Sequence, residues 1–248
     1  MQCKLCGKDR KLVKAHIIPR CFFEIAKFQG KSPAIISTSE NFSPLRRRIG
    51  IYDQNILCRE CEDKFQKCDD YACKLLLHGR GNAPKLYDSD SSEVAYVYPE
   101  INYHLVKQFF LAVLLRADLS TDYFFQHVKL GPYRQKLIEY FSGSRPLREG
   151  DFSLYVFYYP EIKSGPLIVP PDRMLVSDIR FYHFHLGRLG FCIKVDRRPA
   201  PKYLGEILLR KGHPLVVIAQ QLGGTQLHEI ITGMLNNQRN EAYFSTRP

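Results

Sequence analysis

Apolar residues recur at three- and four-residue spacing in two parts of the chain and cluster with strand chemistry in a third. Between residues 58 and 78, Phe65, Cys68, Ala72, Leu75 and Leu76 line one face of a helix that Gly79-Arg80-Gly81 should end. Between 100 and 142, Leu105, Phe109, Ala112, Val113 and Leu115 predict a buried helix. Leu130-Gly131-Pro132 then opens a second, with Leu137, Ile138 and Phe141 on its inner side. From 152 onward the residues become aromatic and β-branched. Residues 152–159 read as a strand, 179–186 and 189–195 as a hairpin about Gly187-Arg188, and 215–219 as a further strand. Thr225 is placed to cap a last helix carrying Leu227, Ile230, Ile231, Met234 and Leu235. Nearer the start, residues 11–18 form a short strand stopped by Pro19, 21–26 a short helix, 30–44 a Ser/Pro/Gly-rich loop and 45–52 a strand.

These segments make the chain α+β. A small N-terminal unit over residues 1–85 precedes a helical segment and a mixed, mainly antiparallel α+β unit over 100–248. The polar run Asp88-Ser89-Asp90-Ser91-Ser92 is the expected boundary between them. No internal repeat interrupts this order.

Composition narrows the class. With 45% hydrophobic and 25% charged residues the chain can bury an ordinary core. Its longest apolar run, residues 109–115, is far short of the roughly 20 residues that span a bilayer, and no apolar leader precedes Cys3, so a cytoplasmic location and no membrane contact are expected. Eight cysteines in a reducing compartment point to metal binding and free thiols rather than a disulfide framework. Net charge is +11, and residues 1–80 hold 16 Lys and Arg against 9 Asp and Glu, a surplus that favours a polyanionic partner, nucleic acid being the commonest.

The chemistry concentrates at the N-terminus. Cys3-Lys4-Leu5-Cys6 and Cys58-Arg59-Glu60-Cys61 are two C-x-x-C pairs that can supply four thiolates to one structural zinc ion. Gly7 follows the first pair where the knuckle needs a tight turn, and the second pair opens the helix predicted from 58. A hairpin knuckle followed by a helix that donates two ligands is a treble clef. Between the pairs lies Ala15-His16-Ile17-Ile18-Pro19, and Asn55 precedes the second.

C-x-x-C, then A-H-I-I-P, then N-x-L-C-x-x-C leading into a helix, resembles the HNH endonuclease superfamily in its zinc-stabilised, ββα-metal form, over roughly residues 1–75. The resemblance implies a metal-dependent nuclease acting on nucleic acid, DNA by preference, in the setting of bacterial or phage defence. It makes His16 the general base, Asn55 its orienting residue and Glu62 the residue beside a catalytic Mg²⁺ or Mn²⁺. Ala15 stands where many members place a metal ligand, and Glu62 replaces their usual His or Asn. The rival class is a zinc-stabilised module without activity that docks nucleic acid or a partner protein. Arg46, Arg47 and Arg48 are the candidate phosphate contacts. The C-terminal unit would then recruit a protein partner or a second copy.

Elsewhere, His183 and His185 share one face of their strand with Cys192 opposite, which reads better as an aromatic strand running from core to surface than as a ligand site. Gly223-Gly224-Thr225 reads as a plain loop before the last helix, although a helix N-terminus there can hold an anion.

Overall fold

A computed structural model of the chain describes residues 1–25, 34–35, 45–46, 50–160 and 168–221, with residues 223, 229 and 232–233 beyond them. Its elements are β1 (Ala15–His16), α1 (Arg20–Ile25), β2 (Ala34–Ile35), β3 (Leu45–Arg46), β4 (Tyr52–Asp53), α2 (Arg59–Ala72), β5 (Lys85–Tyr87) and β6 (Glu93–Tyr98). They continue with α3 (Tyr103–Leu119), α4 (Pro132–Ser142), β7 (Leu154–Tyr158), β8 (Ile168–Val176), β9 (Ile179–Leu186), β10 (Leu189–Lys194) and β11 (Leu215–Ala219). The architecture is mixed α+β. The predicted last helix and the Gly223-Gly224-Thr225 loop fall largely outside the described residues.

Seven strands form one sheet in the order β5-β6-β11-β7-β10-β9-β8. Every neighbouring pair is antiparallel except β11 with β7. The β9–β10 hairpin closes where predicted, with Leu186 opposite Leu189 and Gly187 at φ +66°, a left-handed conformation that favours glycine.

Three strands escape the sequence pattern. β8 contains Pro170-Pro171, which argues against a strand. It lies at the sheet edge, and its register with β9 slips between Val169 and Asp172, so the missing N–H groups fall in an irregularity. β5 and β6 occupy the stretch expected to be a flexible boundary. Asp88–Ser92 is the turn between them, where Asp88 Oδ1 accepts from the backbone N–H groups of Asp90 (2.9 Å) and Ser92 (2.8 Å).

The centre of the molecule is α3. From Phe109 to Leu119 no residue is more than 5% exposed, which matches its apolar sequence. One side of it meets the sheet, with the Phe110 and Phe191 rings 4.6 Å apart. Another meets the N-terminal elements: Phe22 stacks on Phe109 at 5.4 Å, and α2 packs alongside. A single apolar cluster therefore runs from Cys3 and Leu5 through Phe65 and α3 to Val156 and Val217.

Arg116 is the most deeply buried of the three buried charged residues of α3, with Lys107 and Asp118. It is 0% exposed, forks onto Asp69 of α2 (Nη1 to Oδ2 2.7 Å, Nη2 to Oδ1 3.0 Å) and lies 5.0 Å over the Phe65 ring. Bidentate geometry and the ring face let the guanidinium stay charged in the core.

The expectation of free thiols is corrected at one pair. Cys21 of α1 and Cys73, just past α2, are joined as a disulfide with their Cα atoms 6.3 Å apart. The packing of α1 on the end of α2 brings together residues 52 apart in sequence, and no local pattern announces it.

The expectation that β9 runs from core to surface is also corrected, because all residues from Phe181 to Leu186 are buried. Tyr182, Phe184 and Leu186 face α3, while the opposite face packs in a second cluster of Phe157, Phe181 and Cys192 under Leu204. His183 and His185 belong to that second face by strand alternation, their rings 5.7 Å apart, and neither ring nitrogen of either has a hydrogen-bond partner among the described residues. Burial holds both imidazoles below their ordinary pKa. Asp172, opposite His183, offsets this in part for that residue, and His183 adds to it for His185.

Two outcomes are expected. Asp69→Ala, which leaves Arg116 charged and unpaired, should cost about 3–5 kcal/mol in urea unfolding, whereas Arg116→Met/Asp69→Leu should recover most of it. The two histidines resist protonation when folded and accept it at about 6.5 when unfolded. Stability should therefore fall as pH drops below about 6.5, by up to about 1.4 kcal/mol per pH unit for each histidine. Urea midpoints between pH 7.5 and 5 measure the slope, and His183→Leu/His185→Leu should flatten it.

Candidate metal centre and the residues beside it

The first knuckle is a tight hairpin. Gln2 bridges Asp9, the Cys3 N–H donates to the Lys8 carbonyl at 3.0 Å, the Gly7 N–H donates to the Cys3 carbonyl at 2.8 Å, and Gly7 sits at φ +70°. The second knuckle is the entry to α2, with Cys58 at its N-cap and the Cys61 N–H donating to the Cys58 carbonyl at 3.1 Å.

Backbone bonds then stitch the two together. Lys4 N–H donates to the Ile56 carbonyl (2.8 Å) and Val13 N–H to the Leu57 carbonyl (2.9 Å), while Leu12 bridges Cys58. As a result the four sulfurs of Cys3, Cys6, Cys58 and Cys61 lie within 4.8 Å of one another. Cys6 Sγ and Cys58 Sγ are 3.9 Å apart. Sulfurs about 2.3 Å from a tetrahedral zinc stand roughly 3.8 Å from each other, so the cluster could hold one such ion.

The surroundings suit thiolate ligands. Three of the four residues are buried, and the Cys58 N–H points at Cys3 Sγ at 3.3 Å. Burial works to raise the Cys3 thiol, but the N–H groups of Cys6, Cys58 and Leu5 outweigh it and bring it down to about 7. Burial, together with its three cysteine neighbours, pushes Cys61 well up, so without a cation that site keeps its proton. Cys68, outside the cluster, is pushed by burial up to about 12, as expected for a core thiol.

His16 sits on β1 opposite Tyr52 of β4, and this two-stranded ladder leads directly into α2. The His16 backbone N–H donates to Glu62 Oε1 at 3.1 Å, so the histidine and the first turn of α2 are joined. The other carboxylate oxygen, Oε2, is buried with no hydrogen-bond partner among the described residues. Burial raises the Glu62 carboxyl, and Arg116 nearby opposes the rise. His16 is also close enough to Asp69 to act on it electrostatically. Ala15 is 0% exposed and offers no ligand.

Asn55 is exposed on the connection between β4 and α2, where its backbone N–H donates to Asp53 Oδ1 at 2.8 Å. Arg46 lies in β3, but its side chain, like Arg47 and Arg48, falls outside the described residues. Asp53 of β4 joins the N-terminal elements to α3. Its Oδ2 accepts from Thr121 N–H (2.6 Å), Thr121 Oγ1 (2.8 Å) and Ser120 Oγ (3.0 Å), which docks the loop before α2 onto the end of α3. Lys4 Nζ reaches the Leu119 carbonyl there at 2.7 Å, a second tie between the knuckles and α3.

Comparison of the chain with protein-family models, with curated proteins and with solved structures finds no match in any of the three.

Purified protein should carry one zinc per chain by elemental analysis. Cys58→Ser should lose the metal and unfold the first 20 residues to protease. Because the ligands must be deprotonated, zinc should leave as pH is lowered, and a chromogenic chelator reads its release.

Proposed function

We propose that the N-terminal unit is an HNH-like nuclease module: a treble clef built on one zinc ion that hydrolyses phosphodiesters of nucleic acid, DNA by preference. The observation that carries this reading is the buried Oε2 of Glu62, without a hydrogen-bond partner among the described residues, on a carboxylate whose other oxygen accepts from the backbone of His16, in a β–β–α arrangement beside four clustered cysteines. A carboxylate oxygen with no donor fits a hard divalent cation such as Mg²⁺ or Mn²⁺, and Glu62 is the residue that would hold it, with waters completing the shell. Such a cation supplies charge stabilisation at the phosphate and the leaving oxygen.

The protein's part is to position and move a proton. The neutral His16 imidazole takes a proton from a water whose oxygen attacks phosphorus, and the bond from phosphorus to the leaving oxygen breaks. The four-cysteine anchor and the ladder between β1 and β4 keep the histidine from shifting relative to α2. The basic surplus over residues 1–80 supports binding of the polyanion, with Arg46, Arg47 and Arg48 as phosphate contacts and Asn55 as the residue orienting His16. By analogy with the HNH resemblance, the setting is defence against foreign nucleic acid.

A second reading, a binding module without catalysis, is favoured by Ala15, which provides no ligand, and by Arg116, whose charge bears on Glu62. Incubation with supercoiled plasmid separates the two. The nuclease reading expects nicking that needs Mg²⁺ or Mn²⁺, stops with chelator, and drops about a hundredfold or more in His16→Ala and Glu62→Gln. Equal retention of DNA by wild type and His16→Ala in a gel shift, with no cleavage under either metal, would overturn it and leave the binding module.

A further inference from the structure

A cavity of about 620 Å³ opens between the start of α4, the loop before β7 and the segment that follows β10. Its size is that of a small-molecule site. Its charge is one-sided. Lys136, Arg148, Lys194, Arg197 and Arg198 line it against only Asp151 and Asp196, a surplus of three positive charges.

Those carboxylates are already taken. Lys136 holds Asp151 at 2.7 Å, and Arg198 grips Asp196 with Nη2 at 2.7 Å and Nε at 3.0 Å. What remains is Arg148, 88% exposed at its side chain and only loosely near Asp151 at 3.8 Å, and Arg197, exposed and without an acidic partner among the described residues. The N-terminal end of α4, with Pro132 at its first turn, adds the positive pole of an eleven-residue helix.

The walls are pinned from beneath, so the cavity is built rather than incidental. Buried Lys194 Nζ donates to the carbonyls of Asp196 (2.8 Å) and Arg198 (2.7 Å), which fixes the loop carrying Arg197. Buried Lys107 of α3 donates to the Glu149 carbonyl at 2.8 Å, which fixes the loop carrying Arg148. Pro132, Tyr133 and Pro199 give the same cavity apolar surface against which a ring can lie.

We propose that this cavity binds a small organic phosphate of nucleotide size, its phosphates between Arg148 and Arg197 and its ring against Tyr133. The site involves neither the cysteine cluster nor His16, so it stands or falls separately from the nuclease reading.

Calorimetric titration of the full-length protein with ADP, pyrophosphate and adenosine is the test. ADP and pyrophosphate should bind saturably, more weakly as salt rises, while adenosine should not bind. Arg197→Glu and Arg148→Glu, at exposed positions that anchor neither loop, should each weaken ADP by about tenfold or more with an unchanged melting temperature. Adenosine binding as tightly as ADP, no binding of either polyphosphate, or undiminished ADP affinity in both variants would overturn the proposal. Displacement of ADP by a DNA duplex, lost in the same variants, would also overturn it by assigning the phosphates to a nucleic acid.

Discussion

Arg116 is a full positive charge buried at the centre of α3, and the way α2 lies against that helix turns on how the charge is met. A guanidinium cannot give up its proton in a protein, so it must be paired or excluded from the core. Asp69 meets it with a bidentate contact and Phe65 with its ring face, both from α2. That requirement fixes α2 along α3 in one register, and α2 in turn carries Cys61 and Glu62 at its opposite end. The seven-stranded sheet packs on another side of α3, so one ion pair helps set how the cysteine cluster stands relative to the sheet.

The N-terminal unit is held by redundant short-range ties. Four thiols converge, Lys4 and Asp53 reach the end of α3, and a disulfide fastens α1 to the end of α2. These directional bonds add to the buried apolar residues of the region, among them Ile17, Phe22, Ile56 and Phe65. The backbone N–H of His16 holds Glu62 Oε1, so β1 is tied to the first turn of α2.

Much of this was legible from the chain alone. The periodic helices, the β9–β10 hairpin and the spacing of the two C-x-x-C pairs depend on neighbours in sequence, and the structure has them nearly where the pattern predicts. The second helix is an example: expected over 58–78, it is a regular α-helix to Ala72 and then widens through Cys73–His78. Arg116 also left a trace, as a lone charge in the run Leu114-Leu115-Arg116-Ala117, although its partner did not.

What the sequence by itself determined was therefore local: where helices and strands form, and that four cysteines stand in two chelating pairs. Tertiary structure decided whatever depends on residues distant in the chain. It admitted Pro170 and Pro171 to a strand, because only an edge tolerates missing donors. It turned an expected boundary into the β5–β6 hairpin, because β11 supplied a partner for β6. It buried the rings of His183 and His185 with no hydrogen-bond partner among the described residues, because the segment bearing Leu204 covers the second face of the sheet. It joined Cys21 to Cys73, and it drew Lys194 beneath the loop that holds Arg197. Each of these outcomes rests on the desolvation or pairing of a group by atoms dozens of positions away or by a loop's exact path, and periodicity carries no information about either.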